Sequence, residues 1–351
     1  MDPEKKQEVE SEMKKYLLYV SHLYSFSIVR PLLNEIRKRG DDVKFFLTRP
    51  EYAHLLKPGE EILETARDVI RYNPRAVFVA SNGVPDFFPG IKVQLFHGFN
   101  AQKRDENKGH FRLRGFFDLY CTQGSSTTDH FLELEQKYQY FKVFETGWPK
   151  MDPLFGKTEI KPSVKPNILF TSTFTPKLSA AHILFDTIRE LSEKSEWDFT
   201  VTFHSKMNQK VVNRYKNLQS IRFIETDNTI PLLQEADVML SDTSSILSEF
   251  LLLQKPVVTF RNKMPGHHLI NVTESDKIGP ALRKALTKPE NLMTKIKTYT
   301  DTIHPYHDGR SSGRVLDAAE KFICDYKGKI KRKPLNFFRR AKMHWKHKVF
   351  F

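Results

Sequence analysis

The stretch from Leu232 to Phe260, LLQEADVMLSDTSSILSEFLLLQKPVVTF, constrains the fold more than any other part of the chain. A short apolar run, Ala236 to Leu240, meets Ser241-Asp242-Thr243-Ser244-Ser245. A helical pattern then begins at Ile246, Leu247, Phe250 and Leu251, and a second apolar run, Pro256 to Phe260, follows. The pattern predicts strand, turn, helix and strand: one βαβ unit whose turn lies at the C-terminal edge of a parallel sheet. Asp242, Thr243 and Ser244 are good N-caps, so hydroxyls and unpaired N–H groups gather at a helix N-terminus. Such a place suits a phosphate. Ordinary helix capping explains the same residues about as well from this unit alone.

The alternation extends along the chain. Tyr16 to Val20 reads as a first strand and Ile28 to Arg39 as a helix closed by Gly40. Short apolar runs recur at Val43–Leu47, Ala76–Ala80, Val93–Phe96, Leu119–Thr122 and Val143–Glu145. The segment Pro149 to Pro166, with prolines at 149, 153, 162 and 166, is the best linker candidate. Beyond it come strand Ile168–Thr171, helix Ala180–Lys194, strands Phe199–Phe203 and Ile221–Ile224, the βαβ unit, and a helix near Ile278–Leu286. The expected fold class is α/β, two Rossmann-like domains facing a cleft: 13–155, 160–325, and a basic amphipathic tail at 326–351.

At 351 residues the chain is long enough for two cores, and its 39% hydrophobic and 28% charged content belongs to a globular protein. No apolar run approaches the ~20 residues of a membrane-spanning helix. The opening MDPEKKQEVESEM is acidic and polar, unlike a signal peptide, and Cys121 and Cys324 form no disulfide framework. A cytoplasmic protein is expected. The net charge of +14 belongs to an appendage: ten basic residues lie from Lys327 to Lys348 with no acid after Asp325, which leaves +4 for the body.

Ligands of open α/β sheets bind at the C-terminal ends of strands, and the informative polar residues cluster there. His22 follows the first strand, His97-Gly98 the Val93 run, and Gly147-Trp148-Pro149-Lys150-Met151-Asp152 the Val143 run. Thr171-Ser172-Thr173 follow the Ile168 strand, His204-Ser205-Lys206 the Phe199 strand, and Asp242 to Ser245 the Ala236 strand. Singly each is more readily a capped turn or a satisfied histidine; together they describe a polar cleft suited to a diphosphate. Neither GxGxxG nor GxxxxGK[ST] occurs, which argues against a dinucleotide enzyme or a P-loop NTPase. His304 and His307, and the adjacent His267-His268, lack the partners of a metal site, so neither metal nor cofactor is expected.

These residues, in order, resemble the CDP-glycerol glycerophosphotransferases. The matching motifs are His97-Gly98; Gly147, Pro149, Lys150 and Asp152; His204; Ser241, Asp242, Ser244 and Ser245; Lys255-Pro256; and Asp308, Gly309, Ser311, Ser312 and Arg314. The resemblance covers about residues 90 to 320. It implies a GT-B-like domain pair that moves glycerol phosphate from CDP-glycerol to a hydroxyl of a lipid-linked cell-surface glycan, releasing CMP. It assigns catalysis to His97 and His204 and the diphosphate turn to Ser244 and Ser245. The chain departs from the family pattern in HGFNAQK after His97, where the family has HGTPLK-like residues, and in Ser205, where it has proline.

The chemistry needs a base for the attacking hydroxyl and donors for the phosphoryl oxygens. His97 suits the base. His204, the turn at 243–245, Lys206 and Arg310 suit the charge, with Gly98, Lys150, Asp152, Thr173, Asp242 and Asp308 as further substrate contacts. In the tail, Leu335, Phe338, Ala341, Trp345 and Val349 form one helical stripe among Arg and Lys. That fits an anionic membrane surface, and hence a peripheral protein on the inner face of the plasma membrane; nucleic acid is not the expected partner. The alternatives are a GT-B glycosyltransferase or UDP-sugar 2-epimerase-like enzyme, and a non-enzymatic binder of a glycan or lipid carrier.

Overall fold

The computed structural model of the chain describes residues 13–99, 111–156, 164–226 and 228–346. The first domain holds β1 (Lys15–Val20), α1 (Ser25–Lys38), β2 (Asp42–Leu47), α2 (Ala66–Tyr72), β3 (Ala76–Val79), β4 (Ile91–Gln94), β5 (Leu119–Thr122), α3 (Ser125–Tyr138) and β6 (Lys142–Glu145). The second holds β7 (Asn167–Phe170), α4 (Phe185–Glu193), β8 (Asp198–Val201), α5 (Gln209–Lys216), β9 (Arg222–Phe223), α6 (Ile230–Glu235), β10 (Val238–Ser241), α7 (Ile246–Leu251), β11 (Val257–Phe260), β12 (Ile270–Val272) and α8 (Ile278–Leu286). Three helices close the chain: α9 (Glu290–Ile303), α10 (Ser311–Asp325) and α11 (Phe337–Lys346).

Each domain is a six-stranded sheet, in the orders β2-β1-β3-β4-β5-β6 and β12-β11-β10-β7-β8-β9, and the paired strands run parallel. Strands such as β3 and β5 are buried along their whole length because helices cover both faces. This explains why they read as unbroken apolar runs. The strand order reverses between β1 and β3 in the first sheet and between β7 and β10 in the second. A parallel sheet opens a ligand crevice at such a point.

Chain order and packing part company in two places. The first part of the predicted linker is structured: Pro149–Phe155 forms a 3-10 segment with Pro149, Met151 and Leu154 buried, packed against α1, α6 and α10. Residues 157–163 of that prediction lie outside the described residues. Helix α10, assigned by chain order to the second domain, packs on the first: the Tyr16 hydroxyl donates to Glu320 at 2.9 Å, Arg75 pairs with the same carboxylate, and Arg39 pairs with Asp317. Two elements begin elsewhere than their apolar residues suggest. The predicted helix at Ala180 starts at Phe185, and the Val93 strand starts at Ile91 and ends at Gln94. Among the described residues no helix is long and apolar enough to cross a membrane.

Candidate functional site

In the first domain three rings meet beside the crevice between β1 and β3. His22 stacks on Tyr24 with centroids 5.1 Å apart, and Tyr24 lies 5.3 Å from His97. The chain reaches His97 through Phe96, whose φ of +59° is a conformation that bulky residues seldom adopt. Burial of Phe96 against Tyr120 and Phe131 holds it there, and the next side chain, His97, is turned outward. His97 Nδ1 lies 3.3 Å from the Ala80 carbonyl oxygen. A carbonyl only accepts, so Nδ1 carries the hydrogen and Nε2 is the ring's basic lone pair.

His204, after β8, has the opposite arrangement. The Lys206 amide donates to its Nδ1 at 3.0 Å, which leaves the hydrogen of the neutral ring on Nε2. The ring packs 4.9 Å from Phe174, and Lys206 Nζ sits 5.6 Å over the same phenyl face. One histidine thus offers an acceptor and the other a donor.

The crevice between β7 and β10 is built around Asp242. Its carboxylate accepts from the Ser172 hydroxyl, from the Thr173 amide at 3.0 Å and from the Ala180 amide at 2.9 Å. Burial raises its pKa, against the hydrogen bonds that favour the charged form. Asp242 and the Thr173 amide therefore tie two strand ends together. Asn262, which the sequence did not single out, adds a side-chain bond to the Asp242 carbonyl, and the Lys263 amide donates to Thr243 Oγ1 at 3.0 Å. Ser245 at the N-cap of α7 makes no side-chain capping bond, so ordinary capping does not account for it. Ser244 is partly exposed and Ser245 exposed beside this frame. With six residues, α7 supplies a smaller end dipole than the sequence pattern suggested.

The model of the family described as UDP-N-acetylglucosamine 2-epimerase matches residues 123–320, more than half of the chain. The chain belongs to this family. It is also similar to the teichoic acid glycerol-phosphate primase of Bacillus subtilis (strain 168), 22% identical over 221 residues, which are 58% of this chain and 58% of the primase. The match thus spans little more than half of that relative's length. Among solved structures, the wall teichoic acid polymerase TagF superposes with a TM-score of 0.62 at 13% identity, covering 88% of this chain and 89% of that one. The UDP-GlcNAc 2-epimerase from Neisseria meningitidis, bound to UDP-GlcNAc, superposes with a TM-score of 0.60 at 15% identity, covering 88% of this chain and all of that one. The two-domain GT-B-like fold is therefore shared by both kinds of relative, and the epimerase alternative shares in the family assignment.

Within this member of the epimerase family, the Gly147–Asp152 motif is a joint between domains. Gly147 has φ +75°, and a Cβ there would lie 2.6 Å from Ser311 Oγ and 3.0 Å from His304 Nε2. The Trp148 amide donates to His304 Nε2 at 3.0 Å, Lys150 pairs with the buried Glu249 of α7, and Asp152 accepts from the Ser311 and Ser312 amides at 2.7 and 2.8 Å. Lys150 thus reaches across to α7 of the second domain, while Asp152 ties this segment to the start of α10; burial raises the Asp152 pKa. His304 is fully buried, and that burial pushes its pKa down to about 4. Asp308 is held at about 2 by a bidentate pair with Arg314. Gly98 presents its carbonyl to Gln123, and Arg310 is exposed at the N-cap of α10. Among the described residues no group of three or more His, Cys, Asp or Glu is arranged to hold a metal.

Proposed function

We propose that the chain transfers glycerol phosphate from CDP-glycerol to a hydroxyl of a lipid-linked cell-surface glycan acceptor at an anionic membrane surface. The observation that carries this reading is the opposite placement of the ring hydrogens on His97 and His204. His97 Nε2 takes the proton of the acceptor hydroxyl as its oxygen bonds to the glycerol-phosphate phosphorus. The bond from that phosphorus to the bridging oxygen breaks, and CMP leaves with the electron pair. His204 Nε2–H, the Ser244 and Ser245 hydroxyls, Lys206 and Arg310 supply donors to the phosphoryl oxygens.

Epimerisation of a UDP-sugar is the second reading, favoured by the family match across residues 123–320. Inverting a carbon centre needs a proton taken from one face and delivered to the other, a task for poised acid and base groups. Among the described residues the carboxylates at these strand ends are already engaged. Glu145 accepts from Thr128 and Tyr306, Glu249 pairs with Lys150, and Asp152, Asp242 and Asp308 have the partners given above. The acceptor and donor histidines would therefore have to serve either reaction, and the donor that the chain turns over decides between them. Purified protein is incubated with CDP-glycerol, CDP-ribitol and UDP-N-acetylglucosamine, with and without a soluble acceptor. Acceptor-dependent CMP release supports transfer; epimerised UDP-sugar with no CMP overturns it. Acceptor binding without turnover of any donor points to a non-enzymatic glycan binder.

A further inference from the structure

We infer that α11 is a membrane-docking helix pinned to the first domain with its apolar face outward, and that its partner is an anionic phospholipid surface. This rests on the membrane-acceptor part of the proposed function and gives it a location and an orientation.

A surface helix of a globular protein normally turns its apolar stripe inward. Here the polar stripe faces the protein. Asn336 and Arg339 donate to the Arg114 carbonyl at 3.1 and 2.8 Å, and Arg340 Nε lies 3.2 Å from Asp86. The His344 ring lies 4.6 Å from Phe87, and Lys333, just upstream, pairs with Asp118 at 2.8 Å. The opposite side leaves Leu335 77%, Phe337 75%, Phe338 88% and Trp345 77% exposed, with Ala341 and Lys342 exposed among them. Three large apolar side chains on one side of the docked helix, with Leu335 just before it, form a face that water covers at a cost.

Charge decides the occupant. Lys327, Lys329, Lys331, Arg332 and Lys342 are exposed on or just before this helix, and no acid follows Asp325. A second copy of the chain would set like charges against each other, whereas an anionic bilayer gains both apolar insertion and electrostatic attraction to each basic residue near its surface. Aromatic rings ringed by lysine and arginine match the interfacial zone of such a bilayer. The helix is also fixed relative to the chemistry. The segment from Ala80 to Asp86 holds His97 through the Ala80 carbonyl and α11 through the Asp86 carboxylate. Docking of α11 would therefore fix the position of His97 relative to the membrane.

Trp345 is the one exposed tryptophan of the three, Trp148 and Trp197 being 2% and 6% exposed. Its emission reports insertion directly. The full chain is mixed with vesicles of phosphatidylcholine and phosphatidylglycerol carrying brominated acyl chains. The expected result is quenching that disappears in Trp345→Phe and in phosphatidylcholine-only vesicles. Replacing Phe337, Phe338 and Trp345 by serine keeps the net charge and should lower vesicle sedimentation by about tenfold or more. Without lipid, amide exchange over 337–346 should be slowed, and Asp86→Ala should speed it. Unquenched Trp345 in vesicles that pellet the protein overturns the inference. So does a triple variant that pellets like the parent, a lipid-free dimer that the triple substitution dissolves, or exchange at the rate of an unfolded chain. CMP release on a soluble acceptor is scored separately: if it fails while quenching holds, the transfer reading falls and the docking surface stands.

Discussion

Acidification should loosen the joint between the two domains through one buried histidine. The His304 ring is fully buried, and its Nε2 accepts the Trp148 amide at 3.0 Å. Protonation would place a hydrogen on Nε2, break that bond and bury a positive charge beside Phe99, Phe155 and Tyr306. Burial is the main cause of the fall in its pKa from 6.5 to about 4, with the charges of His307 and Arg314 adding to it. Because the folded value lies below the unfolded one, the stabilisation is complete above pH 6.5 and is lost as pH falls toward 4. The whole gap is worth roughly 3 kcal/mol, and about 2 kcal/mol of it should be gone by about pH 5. The comparison is His304→Gln, whose amide oxygen can still accept from Trp148 but does not titrate. Urea unfolding of both proteins from about pH 7.5 to 5 gives the difference directly, since Asp152, Asp242 and His268 titrate alike in each. If the variant loses stability with acid as steeply as the parent, His304 is not the group responsible and the reasoning fails.

Three further outcomes follow from the site. His97→Ala should keep CDP-glycerol binding and lose about 10²–10⁴-fold in transfer, while His204→Ala should weaken turnover and donor affinity together; donor affinity lost in the first variant with normal turnover per bound donor would reverse the assignments. Replacing Ser244 and Ser245 by alanine should weaken CDP-glycerol binding by about 1–3 kcal/mol in calorimetry, and an unchanged affinity in a folded variant would remove the turn from the donor site. Lys150→Ala leaves Glu249, 7% exposed, without its cation and should cost about 3–5 kcal/mol of stability; Glu249→Gln in that background should recover part of the loss, and no recovery would show that the pair is not what Lys150 contributes.

Much of the architecture was legible in the residues. Apolar runs bounded by Gly, Pro, Ser and Asp marked strands such as Leu119–Thr122 and the βαβ unit around Asp242, because a strand covered on both faces must be apolar throughout. Three candidate ligands show what the residues alone leave open. Lys150, Asp152 and Asp308 have the chemistry of ligands for a phosphate or a sugar, but their charges are met by Glu249, by the Ser311 and Ser312 amides, and by Arg314. A carboxylate looks the same in sequence whether it will cap a helix or hold a hydroxyl. The ring cluster of His22, Tyr24 and His97 was half visible: both histidines lie at strand ends, but the tyrosine between them sits at the head of α1 and carries no motif.

The sequence by itself determined the period of each element, the two α/β domains, the strand-end location of the polar residues and the basic, aromatic character of the tail. Those properties depend on neighbours a few residues apart, where side-chain spacing and capping set the backbone. Only the tertiary structure decided the rest. It sent α10 back to the first sheet through Glu320, and it made Gly147–Asp152 a joint against His304, some 150 residues away in sequence. It gave His97 and His204 opposite ring hydrogens through single backbone groups, and it turned the aromatic side of α11 outward by binding its polar side to Asp86 and Arg114. In each case the deciding partner is distant in the chain or is a backbone atom that every residue shares, so no local pattern could announce it.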